Sequence, residues 1–587
     1  MTAYAAPLRD ITFVLDNVAG LAKVTALPAF AEATPDLVSS ILEEAAKIAA
    51  DTLAPLNQVG DSQGARLENG VVRVADGWTE AWNVLVEGGW NGLPFSPDHG
   101  GMGLPNVLNT AVHEMWQAAN MAFTLCPMLT QGAVNAVESY GTEGQKALYL
   151  PKMVTGEWTG TMNLTEPGAG SDLAAIRTKA VPEGDHYRIS GSKIFITYGD
   201  HEMVENIIHL VLARLPDAPA GVKGISLFIV PKFLVNEDGS LGARNDAVCA
   251  SLEHKLGIHG SPTAVMAFGE GEGAIGSLVG EANRGLEYMF TMMNHARQAV
   301  GLQGLAIAER AYQQALNYAR ERVQGKPTGW TGAGATGIIN HPDVRRMLMT
   351  MKCQIEAMRG LIYSAAAHVD VAHNHPDAAE RGRAQMMADL YTPLVKGWST
   401  EVGNVIASLG VQVHGGMGYV EETGAAQHFR DARITTIYEG TTAIQANDLV
   451  LRKTLRDGGQ GLRGLLQDVA TTAGAAESAG LAIGAKLNAA TATATACVEW
   501  LVGAGKEDPR LPAGAAVPFL ELMGILVGAQ MMAKGALAAK GGGDAFLAAK
   551  LVTADFYADH VLSRVDGLGQ TILAGSAAIM ALDESQL

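Results

Sequence analysis

Apolar residues recur at the helical period through the first part of the chain. Leu37, Ile41, Ala45, Ile48 and Ala49 share one face after Pro35-Asp36, which predicts a helix over 35–53. The same period predicts helices over 79–88, 104–119 and 130–140, separated by Gly-rich stretches such as His99-Gly100-Gly101-Met102-Gly103. Near Gly160 the pattern changes. Segments 187–190, 193–197, 207–214, 224–231 and 263–269 are short, rich in β-branched residues and bounded by Gly or Pro, which predicts strands of an antiparallel domain. Residues 236–246 read as a surface loop. From about 286 the helical period returns, with Gly301, Leu305, Ala308, Tyr312, Ala315, Leu316 and Ala319 forming a stripe on one long helix that ends at Gly325-Lys326-Pro327. More long helices follow to 453. The remainder is rich in Ala and Gly but keeps amphipathic segments over 518–534 and 546–562, and reads as a further helical domain in which small side chains allow close packing. Its alternating Thr/Ala run, 491–496, also suits a linker.

This order is an α+β arrangement without βαβ alternation, so no Rossmann fold is expected. The expected divisions are an N-terminal extension (1–35), a helical domain (36–159), a β-domain (160–284), a helical bundle (285–453) and an additional helical domain (454–587). With 48% hydrophobic and 17% charged residues, the chain can build a large core, and disorder is excluded as its main state. A net charge of −18 repels phosphate backbones, so nucleic acid is not an expected partner. Cys126, Cys249, Cys353 and Cys497 are far apart with no CxxC pair, so neither a disulfide framework nor a metal site is expected and a cytoplasmic setting fits. The first residues lack the basic-then-apolar pattern of a signal peptide. Apolar stretches read as too interrupted by Lys, Glu or Gly for stable membrane insertion.

Five segments carry candidate chemistry. Met162-Asn163-Leu164-Thr165-Glu166-Pro167-Gly168-Ala169-Gly170-Ser171-Asp172 runs from a strand into a glycine turn, where backbone can approach a flat ligand; a tight surface loop is the competing explanation. Lys193-Ile194-Phe195-Ile196-Thr197 would present Phe195 and Thr197 on one face of a strand, where ordinary strand packing is the simpler account. Arg322 at a helix end can hold a pyrophosphate bidentately or simply complement the helix dipole. Gln412-Val413-His414-Gly415-Gly416-Met417-Gly418 has more glycines than a helix cap needs. In Ile437-Tyr438-Glu439-Gly440-Thr441, one carboxylate sits within an apolar, β-branched stretch. Desolvation there would raise its pKa, as a general base requires; a solvated loop Glu is the alternative.

Taken together and in this order, these segments resemble the acyl-CoA dehydrogenase family over about residues 36–453, most closely at Thr165–Asp172 and Ile437–Thr441. The resemblance implies that FAD is bound and that Glu439 is the catalytic base. It implies flavin contacts at Leu164, Thr165, Phe195, Thr197 and Thr441, and substrate contacts at Ser171, Arg297 and Gly440. Arg322, Gln412 and Gly416 correspond to residues that hold the FAD of an adjacent subunit, which implies a homo-oligomer, dimer or tetramer. Asn294 and Ala443 depart from residues common in the family. Its reaction would convert an acyl-CoA to the trans-2-enoyl-CoA: Glu439 takes the α-proton, and its backbone N–H together with a flavin hydroxyl polarises the thioester oxygen. An electron-transfer flavoprotein is the implied acceptor. The opening Tyr4–Phe13 and the extra C-terminal domain resemble a long bacterial subgroup, for which 3-(methylthio)propanoyl-CoA, from dimethylsulfoniopropionate breakdown, is the specific expectation. Medium- or long-chain fatty acyl-CoA dehydrogenation and acyl-CoA oxidation are the alternatives.

Overall fold

A computed structural model describes residues 3–575 and 577–587. The chain divides into two discontinuous units. One comprises Lys47–Leu104 and Ala119–Ala296, the other Met1–Ala46, Pro105–Ala118 and Arg297–Leu587.

The first unit is built on an eight-stranded sheet ordered Ala247–Leu252, Thr263–Phe268, His186–Thr197, Ala274–Val279, Ser226–Pro231, Asn206–Ala213 and Trp158–Asn163, with Lys179–Glu183 also paired to His186–Thr197. The strand Asn206–Ala213 is buried at every residue, so it shows no polar alternation. It pairs in parallel with Trp158–Asn163, whereas the other pairs are antiparallel as expected. The stretches 187–190 and 193–197 form one strand rather than two. The expected loop 236–246 holds most of a short hairpin, Phe233–Val235 with Leu241–Arg244.

Strict alternation fails where it was used to aim Phe195. Ala264 pairs with Ile196 and Met266 with Lys193, so Ile194 and Phe195 together face a single residue, Val265. Phe195 takes up the slack at φ +60° and stands 58% exposed. The bulge, and not the pleat, directs this ring.

Two helices exceed their predicted bounds. Met121–Tyr140 starts nine residues before the expected 130 because Asn120 accepts from Phe123 N at 3.1 Å, and burial on nearly every side hides its helical period. Pro35–Lys47 runs on through a π-turn, Ile48–Leu53, into Ala54–Gln63; Pro55 has no N–H to donate, and the π-turn just before it shifts the hydrogen-bond ladder at that point.

The second unit is helical. The helix Gly285–Glu321, within which the unit boundary falls, receives the turn Leu394–Trp398 at very short range. A Cβ at Gly301 would stand 2.4 Å from the Val395 carbonyl, and one at Gly403 would stand 2.6 Å from the Gly304 carbonyl. Small residues also explain the composition of the C-terminal domain. Trp398 fills the space a side chain would need at Gly524, and Tyr557 does so at Gly528, both glycines lying on Arg510–Ala539. This 30-residue helix overturns the expectation that no stretch is apolar enough to span a membrane. It meets that standard by length and composition, yet 67% of its most apolar window is buried inside the protein, as in a core helix. The run 491–496 lies inside the helix Ala482–Glu507 and is not a linker.

A buried charge cluster joins the N-terminal segment to the C-terminal domain. Arg359 bonds Glu114 at 2.6 Å, Glu309 at 2.9 Å and Asp10, while Lys550 bonds Asp10 and lies 3.2 Å from Glu356.

Candidate active site

Glu439 occupies a turn between the 3₁₀ segment Arg433–Thr436 and the helix Thr442–Asn447. Thr441 starts that helix as its cap, its Oγ1 accepting from Ile444 N at 3.4 Å. Glu439 lies at φ +56° and Gly440 at φ +89°. A non-glycine residue in that region costs about 1–3 kcal/mol, so its surroundings must impose it. They do so through the carbonyls. Gln445 Nε2 donates to Glu439 O at 3.2 Å, and Lys396 Nζ donates to Gly440 O at 2.5 Å. Tyr438 donates its hydroxyl to Gln303 on the helix Gly285–Glu321, pinning the other side of the turn.

The electrostatics suit a base. Burial pushes the Glu439 carboxyl up to about 7, against the opposing pull of Arg297 and Lys396. Lys396 is held down to about 8, again chiefly by burial, with Glu439 and Glu401 favouring its charge. Burial also lowers Arg297, while Asp448 and Glu439 favour its charged form. A carboxyl raised to about 7, with two buried cations favouring its charged form, can exchange a proton near neutrality. The backbone N–H of Glu439 donates to no acceptor among the described residues, so it is free for a substrate oxygen.

A second cluster lies in the sheet unit. Leu164 and Thr165 follow the strand Trp158–Asn163, and Ile194 N donates to the Thr165 carbonyl at 2.9 Å. Lys193, wholly buried, donates to the Leu164 carbonyl at 2.9 Å and to Glu166 at 2.8 Å. Glu166 also accepts from Arg177 N, Thr178 N and the Thr178 hydroxyl. This ion pair braces the glycine loop from below, leaving Ser171 and Gly168 exposed and Thr197 half-buried.

Arg322, Gln412 and Gly416 form a third group. Tyr318, one turn before Arg322, packs its ring 4.4 Å from that of His414. All three residues are exposed. They are far from the base: Arg297 and Glu321 are separated by 24 residues of continuous helix, roughly 36 Å at about 1.5 Å per residue.

The residues fit FAD. The space beyond Gly168, Gly415 and Gly416 is open, so backbone there can meet a ligand, and the exposed Phe195 ring can lie against a flat group. Arg322 is exposed, and its planar guanidinium is suited to a pyrophosphate. The sequence singled out no role for Lys396, Lys193 or Glu166. The one available signal for Lys396 was a lone cation in the apolar run Tyr391-Thr392-Pro393-Leu394-Val395-Lys396-Gly397-Trp398.

Family models for the acyl-CoA dehydrogenase N-terminal, middle and C-terminal domains match residues 39–157, 161–270 and 283–453, and an acetyl-CoA dehydrogenase C-terminal-like model matches 465–583. The chain is 49% identical to the 3-methylmercaptopropionyl-CoA dehydrogenase of Ruegeria pomeroyi, over 98% of this chain and 100% of that protein. It is 35% identical to a broad-specificity linear acyl-CoA dehydrogenase of Mycobacterium tuberculosis, over 100% of both chains. The structure of Caenorhabditis elegans ACDH-11 in complex with C11-CoA superposes with a TM-score of 0.76 at 21% identity, covering 96% of this chain and 93% of that one, and so shares its fold. The chain therefore belongs to the acyl-CoA dehydrogenase family, FAD-dependent oxidoreductases acting on the CH–CH group of acyl-CoA.

Proposed function

We propose that Glu439 is the base that removes the α-proton of an acyl-CoA, and that the acyl group is 3-(methylthio)propanoyl. The observation that carries the base assignment is the half-buried Glu439 held on a constrained turn at φ +56° by hydrogen bonds to its own carbonyl and to that of Gly440; burial raises its carboxyl to about 7 against the pull of Arg297 and Lys396. An α-C–H beside a thioester is weakly acidic, so the carboxylate needs both a raised pKa and a fixed direction, and the constrained turn supplies the second. The Glu439 N–H polarises the thioester oxygen as charge develops there. Bound FAD supplies the acceptor for the β-hydrogen as hydride. Leu164, Thr165, Phe195, Thr197 and Thr441 would hold the flavin, and Ser171, Arg297 and Gly440 the substrate.

The choice of acyl group rests on 49% identity along the whole chain to the Ruegeria pomeroyi enzyme. Bleaching of flavin absorbance by a panel of acyl-CoAs tests it. The expected result is a kcat/KM at least tenfold higher for 3-(methylthio)propanoyl-CoA than for butanoyl- or octanoyl-CoA. A preference for longer linear chains would favour the second reading, for which the relationship to the Mycobacterium tuberculosis enzyme speaks.

The protein works as a homo-oligomer in which Arg322, Gln412 and Gly416 hold the FAD of a neighbouring copy. Support comes from the roughly 36 Å of helix between that group and Arg297, and from the apolar surface around it, where Tyr419 is 89% exposed beside exposed Met417 and Val420. Electrons pass to an electron-transfer flavoprotein in the cytoplasm, where the four buried free thiols would stay reduced. Peroxide release in air, in place of dye or flavoprotein reduction, would mark an oxidase instead.

A further inference from the structure

The turn that carries Glu439 is held by side chains from outside it. Lys396 is one of them, and no part of it reaches solvent. Burying an ammonium costs several kcal/mol unless partners repay it. The hydrogen bond that Lys396 makes goes to a backbone carbonyl, that of Gly440, rather than to a carboxylate. Its position is set by the backbone around it. Val395 sits against Gly301 on one side, while Leu520 and Gln445 crowd Gly397 and Trp398 seats on Gly524 on the other. The turn that carries Lys396 is thus clamped between the helix Gly285–Glu321 and the core helix Arg510–Ala539 of the C-terminal domain.

We propose that Lys396 is a positioning residue for the Glu439 base: it fixes the strained Glu439–Gly440 turn through the Gly440 carbonyl and sets a positive charge behind the carboxyl. The proposal rests on the reading of Glu439 as base. Without Lys396, Gln445 is left as the remaining side-chain donor to these two carbonyls. A turn held at φ +56° would then relax, and the carboxyl would lose its aim. The charged groups facing Glu439 are Arg297, from the helix Gly285–Glu321, and Lys396. Those facing Lys396 are Glu439, Glu401 of the helix Ser399–His414, and Arg297. Removing Lys396 deletes one of the two cations that favour the carboxylate, so Glu439 must hold its proton to higher pH.

The test is the pH profile of kcat/KM for the flavin-loaded parent, Lys396→Met, Lys396→Gln and Lys396→Arg, with flavin per chain measured by absorbance. The acid limb is expected to move up by about one pH unit in Lys396→Met and Lys396→Gln, with flavin content near the parent's. Lys396→Arg, which keeps the charge, should return the limb toward its original place. Lys396→Gln retains an N–H donor for the Gly440 carbonyl, so its plateau rate should exceed that of Lys396→Met. If the Met chain does not fold, the Gln chain gives the same reading. An acid limb that superimposes on the parent's in either folded neutral variant overturns the proposal. Glu439→Gln is run alongside. Near-parent activity there overturns the base assignment itself, whereas an inactive Glu439→Gln with unshifted Lys396 variants overturns only the role of Lys396.

Discussion

The ammonium of Lys193 lies 2.8 Å from Glu166 Oε1 and 2.9 Å from the carbonyl oxygen of Leu164, fully enclosed by protein. Burial holds Lys193 down to about 8 against the pull of Glu166, whose own pKa is lowered by Lys193 and by the Thr178 and Arg177 donors, outweighing its burial. The pair thus ties the proposed flavin loop to the strand beneath it.

Lys193→Met should loosen that loop. Removing one partner of a buried pair costs about 3–5 kcal/mol, and Leu164 and Thr165 lose their anchor. We expect lower stability in urea together with flavin loss on gel filtration. A variant that keeps full flavin content would show that the brace is dispensable.

Glu439→Gln should bind flavin but dehydrogenate about 10²–10⁴-fold more slowly. In the parent, kcat/KM should rise with pH through about 7, because the base must first release the proton that burial makes it hold. A profile flat from pH 5.5 to 8.5 would exclude that titration as the controlling step.

The same group makes folding pH-dependent. Below about 4.5, the ordinary carboxyl value, both folded and unfolded chains carry the proton and no penalty arises. Between there and about 7 the unfolded chain releases the proton while the folded chain keeps it, so stability falls as pH rises. The full penalty is at most about 3 kcal/mol. Asp370, raised to about 7 by burial while accepting from Asn106 N and Val107 N, acts over a similar range but is common to parent and variant. Glu439→Gln should therefore lose about 2–3 kcal/mol less than the parent between pH 5 and 8. Urea titrations whose parent–variant gap stays constant over that range would refute this.

Arg322→Ala is expected to shed FAD. If Arg322 serves a neighbouring copy, co-expression of Arg322→Ala with Glu439→Gln chains should restore activity, because one site per mixed dimer then has both an intact base and an intact arginine. No recovery in isolated mixed dimers would place Arg322 in its own chain's site.

Gly524→Leu should destabilise the C-terminal domain by at least about 1–3 kcal/mol, since a Cβ there would already stand 2.2 Å from Trp398 Cγ. Unchanged thermal unfolding would mean that Trp398 moves aside freely.

By itself the sequence determined the order of helical and β segments, the extra helical domain and the identity of the candidate base. These are carried by local periodicity and by contiguous motifs, which need no knowledge of what lies across the core. The flanks of Glu439 were a poorer guide: Ile437 is 47% exposed, and the groups that act on the carboxyl are Arg297 and Lys396. Only the tertiary structure decided which charges meet. Lys396 is 43 residues from Glu439 and Lys193 is 27 from Glu166, and nothing local marks either lysine as a partner. The aim of Phe195 also lay beyond the sequence, because its bulge is defined only against Thr263–Phe268. The small residues of the last domain gained their meaning in the same way, once Trp398 and Tyr557 were seen to need the space at Gly524 and Gly528. Close packing is a property of pairs of surfaces, and a single chain read in order shows one surface at a time.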